Sequence, residues 1–344
     1  MMEKYLRKHL LGLQPYSSAR EEFSLDSTNY LMLDANENPF DTDYNRYPDP
    51  YQKELKQVVA NLKNIPPTNI CFGNGSDEIL DLLMRMFCEV NQEIILFPPT
   101  YGMYEVCANI NQVKVVKSWL QGDFQPNAED FWNKVTAQTK MVIFCQPNNP
   151  TGNLLHEDFI FEVLEKFDGM VVIDEAYGDF ATTESWQNKV ETYPNLVVMQ
   201  TLSKAYGLAG LRLGMAIANN ETIGWMHKVK APYNVNTISA KIAINQLKNY
   251  DTTVWETIIK ERKKLKESFQ EIAWITKIYP SEANFVLIEV DDANLRYQQL
   301  LQQQIVIRKP NIKPLVSEAL RITVGTPEQN ERLLKAIRAL VISK

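Results

Sequence analysis

The sequence predicts an α/β protein with a mostly parallel central sheet, helices on both faces, and a smaller α+β domain. Three observations carry this. Short apolar runs alternate with helix-like stretches through the middle of the chain, the pattern of βαβ units. Those runs are continuously apolar, as strands covered on both faces are. After Pro232 the alternation gives way to longer, charged helical stretches separated by a few strands. The 344 residues exceed what one core usually holds, so two domains, or one large α/β domain with an appendage, are expected.

The elements follow in order. Asn69-Ile70-Cys71-Phe72 reads as the first strand, ahead of a helical stretch over residues 77–89. Residues 94–97 give a second strand, ahead of a helical stretch over 101–110. Residues 113–116, 141–145, 170–173, 196–199 and 213–217 complete the series. Beyond Pro232, helices are expected over 239–247, 251–272, 293–303 and 327–342, with strands at 285–288, 305–307 and 320–323. The start of the chain contains Pro15 and Pro39 with little periodicity and reads as an extended arm. The expected division is therefore an arm over residues 1–45, a large domain over 46–240 and a small domain over 241–344.

The net charge of −6 and pI near 5.4 weigh against a nucleic-acid or anionic-membrane surface. Any anionic ligand must meet locally focused positive charge. Cys71, Cys88, Cys107 and Cys145 show no CxxC spacing, and His9, His156 and His227 are scattered, so no metal site is expected. The cysteines read as buried and reduced. The start lacks the apolar stretch of a signal peptide, and no apolar run reaches membrane-span length. A cytoplasmic protein is expected.

Four motifs carry chemistry. Gly75-Ser76-Asp77 lies between a strand and a helix, where two nearby glycines and a helix N-terminus suit a phosphate; Ser76 and Asp77 also read as helix caps. The segment Gln146-Pro147-Asn148-Asn149-Pro150-Thr151-Gly152 is a turn at the carboxyl end of a presumed parallel strand, where open α/β sheets bind ligands. Asp174 ends an apolar strand, and such a carboxylate needs a cationic partner or an N-cap role. Lys204 lies between Ser203 and Ala205 just past another strand, with Arg212 eight residues on. An apolar surround and cationic neighbours would lower its pKa and make it a nucleophile and base. Arg212 and Arg321 each offer a planar fork for a phosphate or carboxylate.

Taken in chain order, these motifs resemble the fold-type I, class-II pyridoxal-phosphate-dependent aminotransferase family. The resemblance is narrowest to its histidinol-phosphate aminotransferases. It rests also on Leu33-Asp34-Ala35-Asn36-Glu37-Asn38-Pro39, Arg46-Tyr47-Pro48, Pro98-Pro99-Thr100-Tyr101-Gly102-Met103-Tyr104 and Leu320-Arg321-Ile322-Thr323-Val324-Gly325-Thr326. It implies that Lys204 is the Schiff-base lysine and Asp174 the partner of the pyridine nitrogen. Tyr177 and Asn149 would donate to the phenolic oxygen, and Tyr101 would stack on the ring. Gly75, Ser76, Asp77, Thr201, Ser203 and Arg212 match the cofactor-phosphate pocket. Tyr47 matches a tyrosine that serves the partner subunit in a homodimer, and the arm over residues 1–45 is expected to pack on the small domain and on that partner. Arg321, Arg308, Tyr16 and Asn36 match substrate-binding positions. The implied reaction is transamination between L-histidinol phosphate and 2-oxoglutarate, giving imidazole acetol phosphate and L-glutamate. A threonine-phosphate decarboxylase or aromatic-amino-acid aminotransferase would use the same scaffold. A non-catalytic, pyridoxal-phosphate-binding regulatory module is the reading of another class; the short arm and negative charge count against it.

Overall fold

The computed structural model describes residues 2–14, 16 and 31–340. Among these residues, seven strands form one sheet: β1 Ile70–Asn74, β2 Glu93–Leu96, β3 Lys114–Lys117, β4 Thr139–Cys145, β5 Met170–Asp174, β6 Leu196–Thr201 and β7 Leu213–Ala218. Their order is β1-β7-β6-β5-β4-β2-β3. Every expected strand of this domain is present. Strands β3, β2, β4, β5 and β6 run parallel, and β7 is antiparallel to both its neighbours. The reason lies in residues 202–212, which hold only a three-residue helical turn, Ala209–Leu211. A parallel return needs a crossover, usually a helix, so the chain doubles back instead. That return places Lys204 and Arg212 at one end of the sheet.

The helices are α1 Lys53–Lys63, α2 Ser76–Phe87, α3 Met103–Ile110, α4 Ala128–Lys134, α5 Glu157–Lys166, α6 Asn220–Val229, α7 Thr237–Lys248, α8 Thr253–Phe269, α9 Ala293–Gln302 and α10 Pro327–Ala339. Successive side chains of β5 explain the layering. Val171 and Ile173 pack on the face covered by α1, α5 and α7, while Met170 and Val172 pack on the face covered by α2, α3 and α6. All four are fully buried, each contributing about 1.5–3 kcal/mol.

The second sheet, order β10-β9-β8, is antiparallel and comprises β8 Ile275–Ile278, β9 Phe285–Val290 and β10 Ala319–Thr323. Along β9, Val286, Ile288 and Val290 face a core with Leu265, Phe269 and Ile337, whereas Phe285 and Leu287 join the large core. Alternation thus docks the small sheet on the large domain. Helix α10 opens with Pro327 at its first turn and a Thr326–Gln329 capping box.

Three expectations differ from the structure. Residues 305–307 form no strand: Val306 is 75% exposed, and only a bridge between Arg308 and Arg321 continues the sheet. The cores do not separate at residue 240, because Ala243, Ile244 and Leu247 of α7 pack with Leu55 and Val59 in the large core. The start of the arm packs on the large domain rather than the small one. Met2, Leu6 and Leu10 are buried in the core under α2 and α6, the Arg7 N–H donates to the Met86 carbonyl at 2.8 Å, and Lys4 pairs with Asp168 at 2.9 Å. Pro15 and residues 17–30 of the expected arm lie outside the described residues.

Candidate active site

A cavity of about 810 Å³ opens at the carboxyl ends of β4, β5 and β6, where open α/β sheets bind ligands. Asp174, the last residue of β5, pairs in register with Cys145 of β4 and is 3% exposed. Its Oδ1 accepts from the Ala176 N–H at 3.0 Å and its Oδ2 from the Tyr104 hydroxyl at 2.6 Å. Burial pushes the Asp174 carboxyl up, and these two donors pull against it.

Lys204 follows β6 and is accessible from the cavity, its amine 5.6 Å from the centre of the Tyr177 ring. Crowding by the cavity walls lowers its pKa first, then the cations Arg321 and Arg212, with Asp174 opposing. The next peptide is gripped from behind. The Ala205 carbonyl accepts from Trp255 Nε1 at 2.9 Å and from the Tyr250 hydroxyl.

The anion-binding end is built around α2. Gly75 has φ +78° and donates its N–H to the Arg212 carbonyl at 2.8 Å. A Cβ there would sit 2.6 Å from Arg212 Nη2, so only glycine leaves the guanidinium its place. Arg212 reaches Asp77 Oδ2 at 3.3 Å, and Asp77 Oδ1 accepts from the Tyr101 hydroxyl, also at 3.3 Å. Burial and Asp77 push Tyr101 up to about 12, so its proton stays. The Thr201 hydroxyl donates to Ser203 Oγ at 3.0 Å beside them.

The other wall is cationic. Arg321 on β10 donates from Nη1 to Asn149 Oδ1 at 2.5 Å and lies 5.1 Å over the Phe285 ring. Arg308 is held against it by backbone bonds in both directions, at 3.1 and 2.7 Å. Two guanidiniums in one cavity, and a buried Arg321 Nε with no hydrogen-bond partner among the described residues, call for an anion. The turn beneath is fixed by Asn148, which accepts from the Thr100 hydroxyl at 2.9 Å and donates to the Pro99 carbonyl at 2.9 Å.

The structure therefore brings Ser76, Asp77, Tyr101, Asn149, Asp174, Tyr177, Thr201, Ser203, Lys204, Arg212, Arg308 and Arg321 around one cavity, with Gly75 at its edge. Tyr47, Tyr16 and Asn36 lie outside it. Tyr47 stacks on Tyr233 at 4.5 Å, and Tyr16 and Asn36 are exposed. A groove of similar size between α8 and α10 carries exposed charges such as Glu267 and Lys335, and its buried Glu261 is already paired with Lys264 and Asn330. Sequence reasoning gave Tyr104 no role of its own, although it stands three residues from Tyr101 in the same motif; α3 itself begins at Met103. Sequence reasoning also missed Trp255, for which no local signal exists.

The family model for aminotransferase class I and II matches residues 26–337, and the chain belongs to that pyridoxal-phosphate-dependent family. It is 48% identical to the histidinol-phosphate aminotransferase of Flavobacterium johnsoniae, over 97% of each chain. To that of Bacteroides fragilis it is 43% identical, over 98% of each. Among solved structures, the histidinol-phosphate aminotransferase of Clostridium acetobutylicum aligns with a TM-score of 0.77 at 28% identity, covering 86% of this chain and 90% of that one. The Sinorhizobium meliloti enzyme, solved in complex with pyridoxal-5'-phosphate, shares the fold at 23% identity and a TM-score of 0.77. The cavity fits that cofactor. It offers an amine of lowered pKa, a buried carboxylate in want of a cation, and an anion cradle that a Cβ at Gly75 would fill.

Proposed function

We propose that this chain transfers the amino group of L-histidinol phosphate to 2-oxoglutarate, giving imidazole acetol phosphate and L-glutamate, in histidine biosynthesis. The observation that carries the reading is the Arg308–Arg321 pair in the same cavity as Lys204 and Asp174. A transaminase admits an amino donor and an amino acceptor in turn, and one guanidinium fork reads the phosphate of the first and the carboxylate of the second. The relatives at 41–48% identity support the substrate assignment.

Gly75, Ser76, Asp77, Thr201, Ser203 and Arg212 would hold the cofactor's phosphate, Asp174 its ring nitrogen, and Tyr177 with Asn149 its phenolic oxygen; Tyr101 would stack on the ring. Pyridoxal phosphate, when bound, supplies an aldehyde for the amino group and a ring that accepts the electron pair left by the departing proton. Lys204 removes that proton from the amino-bearing carbon of the substrate, its amine made easier to deprotonate by the cavity walls and two arginines. In the second half it delivers a proton to the corresponding carbon of the 2-oxoglutarate skeleton. Asn149 spends its carbonyl oxygen on Arg321, which leaves Nδ2 as its donor and ties the cofactor side to the substrate side. Arg308 would attend the substrate inside the cavity, and Tyr16 and Asn36, which lie outside it, would do so from the arm.

The reading includes a homodimer in the cytoplasm. Tyr47 lies away from this chain's own cavity and would complete that of a second copy. The exposed Leu31, Leu33, Phe40 and Tyr44 in the segment that leads to it support such a contact. The test supplies holoenzyme with histidinol phosphate and 2-oxoglutarate, and separately with L-threonine O-3-phosphate. Glutamate from the first and no carbon dioxide from the second is expected. The reverse pattern, or no turnover of either, overturns the assignment.

A further inference from the structure

We propose that Tyr104 is a positioning residue for Asp174, its hydroxyl holding the carboxylate ionised and in one orientation toward the cofactor's ring nitrogen. This rests on reading the cavity as a pyridoxal-phosphate site. Tyr104 is fully buried in the first turn of α3. Its hydroxyl lies 2.6 Å from Asp174 Oδ2, while the Ala176 N–H takes Oδ1. The two oxygens are thus fixed from two different elements. Among the described residues, Tyr104 is the one side chain that donates a hydrogen bond to Asp174. The Tyr104 ring stands edge-on to Tyr101, with centres 5.5 Å apart at 85°, which sets the direction of its hydroxyl.

The need for such a donor follows from the surroundings. The sheet floor here is apolar, with Cys145 and Met199 buried in register on either side of Asp174 and Val172 buried two residues before it. A carboxylate in such a place tends to take up a proton. The other titratable groups facing it are Asp77 at the start of α2, Tyr101 just ahead of α3, Cys145 on β4, Tyr177 after β5 and Lys204 after β6. Asp77 disfavours the charge and Lys204 favours it. Burial pushes the Cys145 thiol up to about 12 and raises Tyr177 as well, so both stay neutral. Tyr104 is itself raised well above its ordinary value by burial and by Asp174, and remains a donor throughout the neutral range. An ionised Asp174 would meet a protonated ring nitrogen as an ion pair; a protonated one would not.

Tyr104→Phe keeps the ring and removes the donor. The readout is the dissociation constant of pyridoxamine phosphate, which needs no bond to Lys204, measured by equilibrium dialysis from about pH 6 to about pH 8. Wild type should bind with little pH dependence. Tyr104→Phe should bind about tenfold or more weakly at the acid end and recover toward the alkaline end, as expected for a lost hydrogen bond to a charged group. In an Asp174→Asn background the same change should cost no further affinity. Unchanged binding, a pH-independent loss, or an equal loss in the Asp174→Asn background overturns the proposal. If Tyr104→Phe alone does not fold, the double variant should, since it buries no carboxylate; failure of both also overturns it. Wild type that binds no pyridoxamine phosphate overturns the cofactor reading itself, and this proposal with it.

Discussion

Arg321→Lys separates charge from geometry at the substrate end of the cavity. Arginine presents Nη1 to Asn149 at 2.5 Å and has its Nε unpaired, so Nε and Nη2 remain as a fork for an anion. Lysine keeps the positive charge as a single point and cannot hold Asn149 and an anion in the same plane. The variant loses one charge-assisted hydrogen bond to the ligand, about 1.5–3 kcal/mol. That corresponds to a fall of about 10- to 150-fold in kcat/KM. Because the same fork reads phosphate and carboxylate, the fall should appear with both histidinol phosphate and glutamate as amino donors. Steady-state rates with each donor, at saturating cofactor, measure it. A change below about threefold with both, or a loss confined to one donor, would refute a shared anion fork. Arg321→Gln adds a signed pH effect. Removing a cation that lowers the Lys204 pKa should raise it, and the acid limb of kcat/KM should move to higher pH.

Three further outcomes follow from the same structure. Gly75→Ala places a Cβ 2.6 Å from Arg212 at a φ of +78°, and should weaken cofactor affinity about tenfold or more, read by dialysis against pyridoxal phosphate. Trp255→Phe removes one donor from the Ala205 carbonyl and should lower kcat with little change in cofactor affinity; equal loss of both would assign Trp255 to folding alone. His227 is half-buried against Lys56, 2.8 Å away, and its pKa is depressed to about 3. The unfolded chain takes up its proton below the ordinary value of 6.5, and the folded chain does not. Stability should therefore be full above about pH 6.5 and fall toward pH 3, by at most about 1.4 kcal/mol per pH unit from this group. Denaturant titrations of wild type and His227→Gln check this, the variant showing the shallower slope.

The sheet of the large domain was legible because each of its strands is a continuous apolar run, which a doubly covered strand requires. The antiparallel β7 was legible in principle from the eleven residues between β6 and β7, too few for a crossover. The segment 305–307 misled because three β-branched residues read as a strand; they lie at the small sheet's edge, where only Arg308 pairs. Helix α7 was assigned to the wrong core because periodicity shows an apolar face but not its partner. The chemistry at Lys204, Asp174 and Arg212 was legible because those charges interrupt apolar or glycine-rich stretches. Tyr104 and Trp255 were not singled out, since a buried aromatic is ordinary in sequence and gains its role only from the carboxylate or carbonyl that folding brings to it.

The central claim is that Lys204 moves the proton of the substrate's amino-bearing carbon. Histidinol phosphate deuterated at that carbon, mixed with holoenzyme in the absence of 2-oxoglutarate, tests it most directly. Wild type should release the label to solvent within one turnover, and Lys204→Ala loaded with the same cofactor should retain it. Release from Lys204→Ala at the wild-type rate would contradict the account.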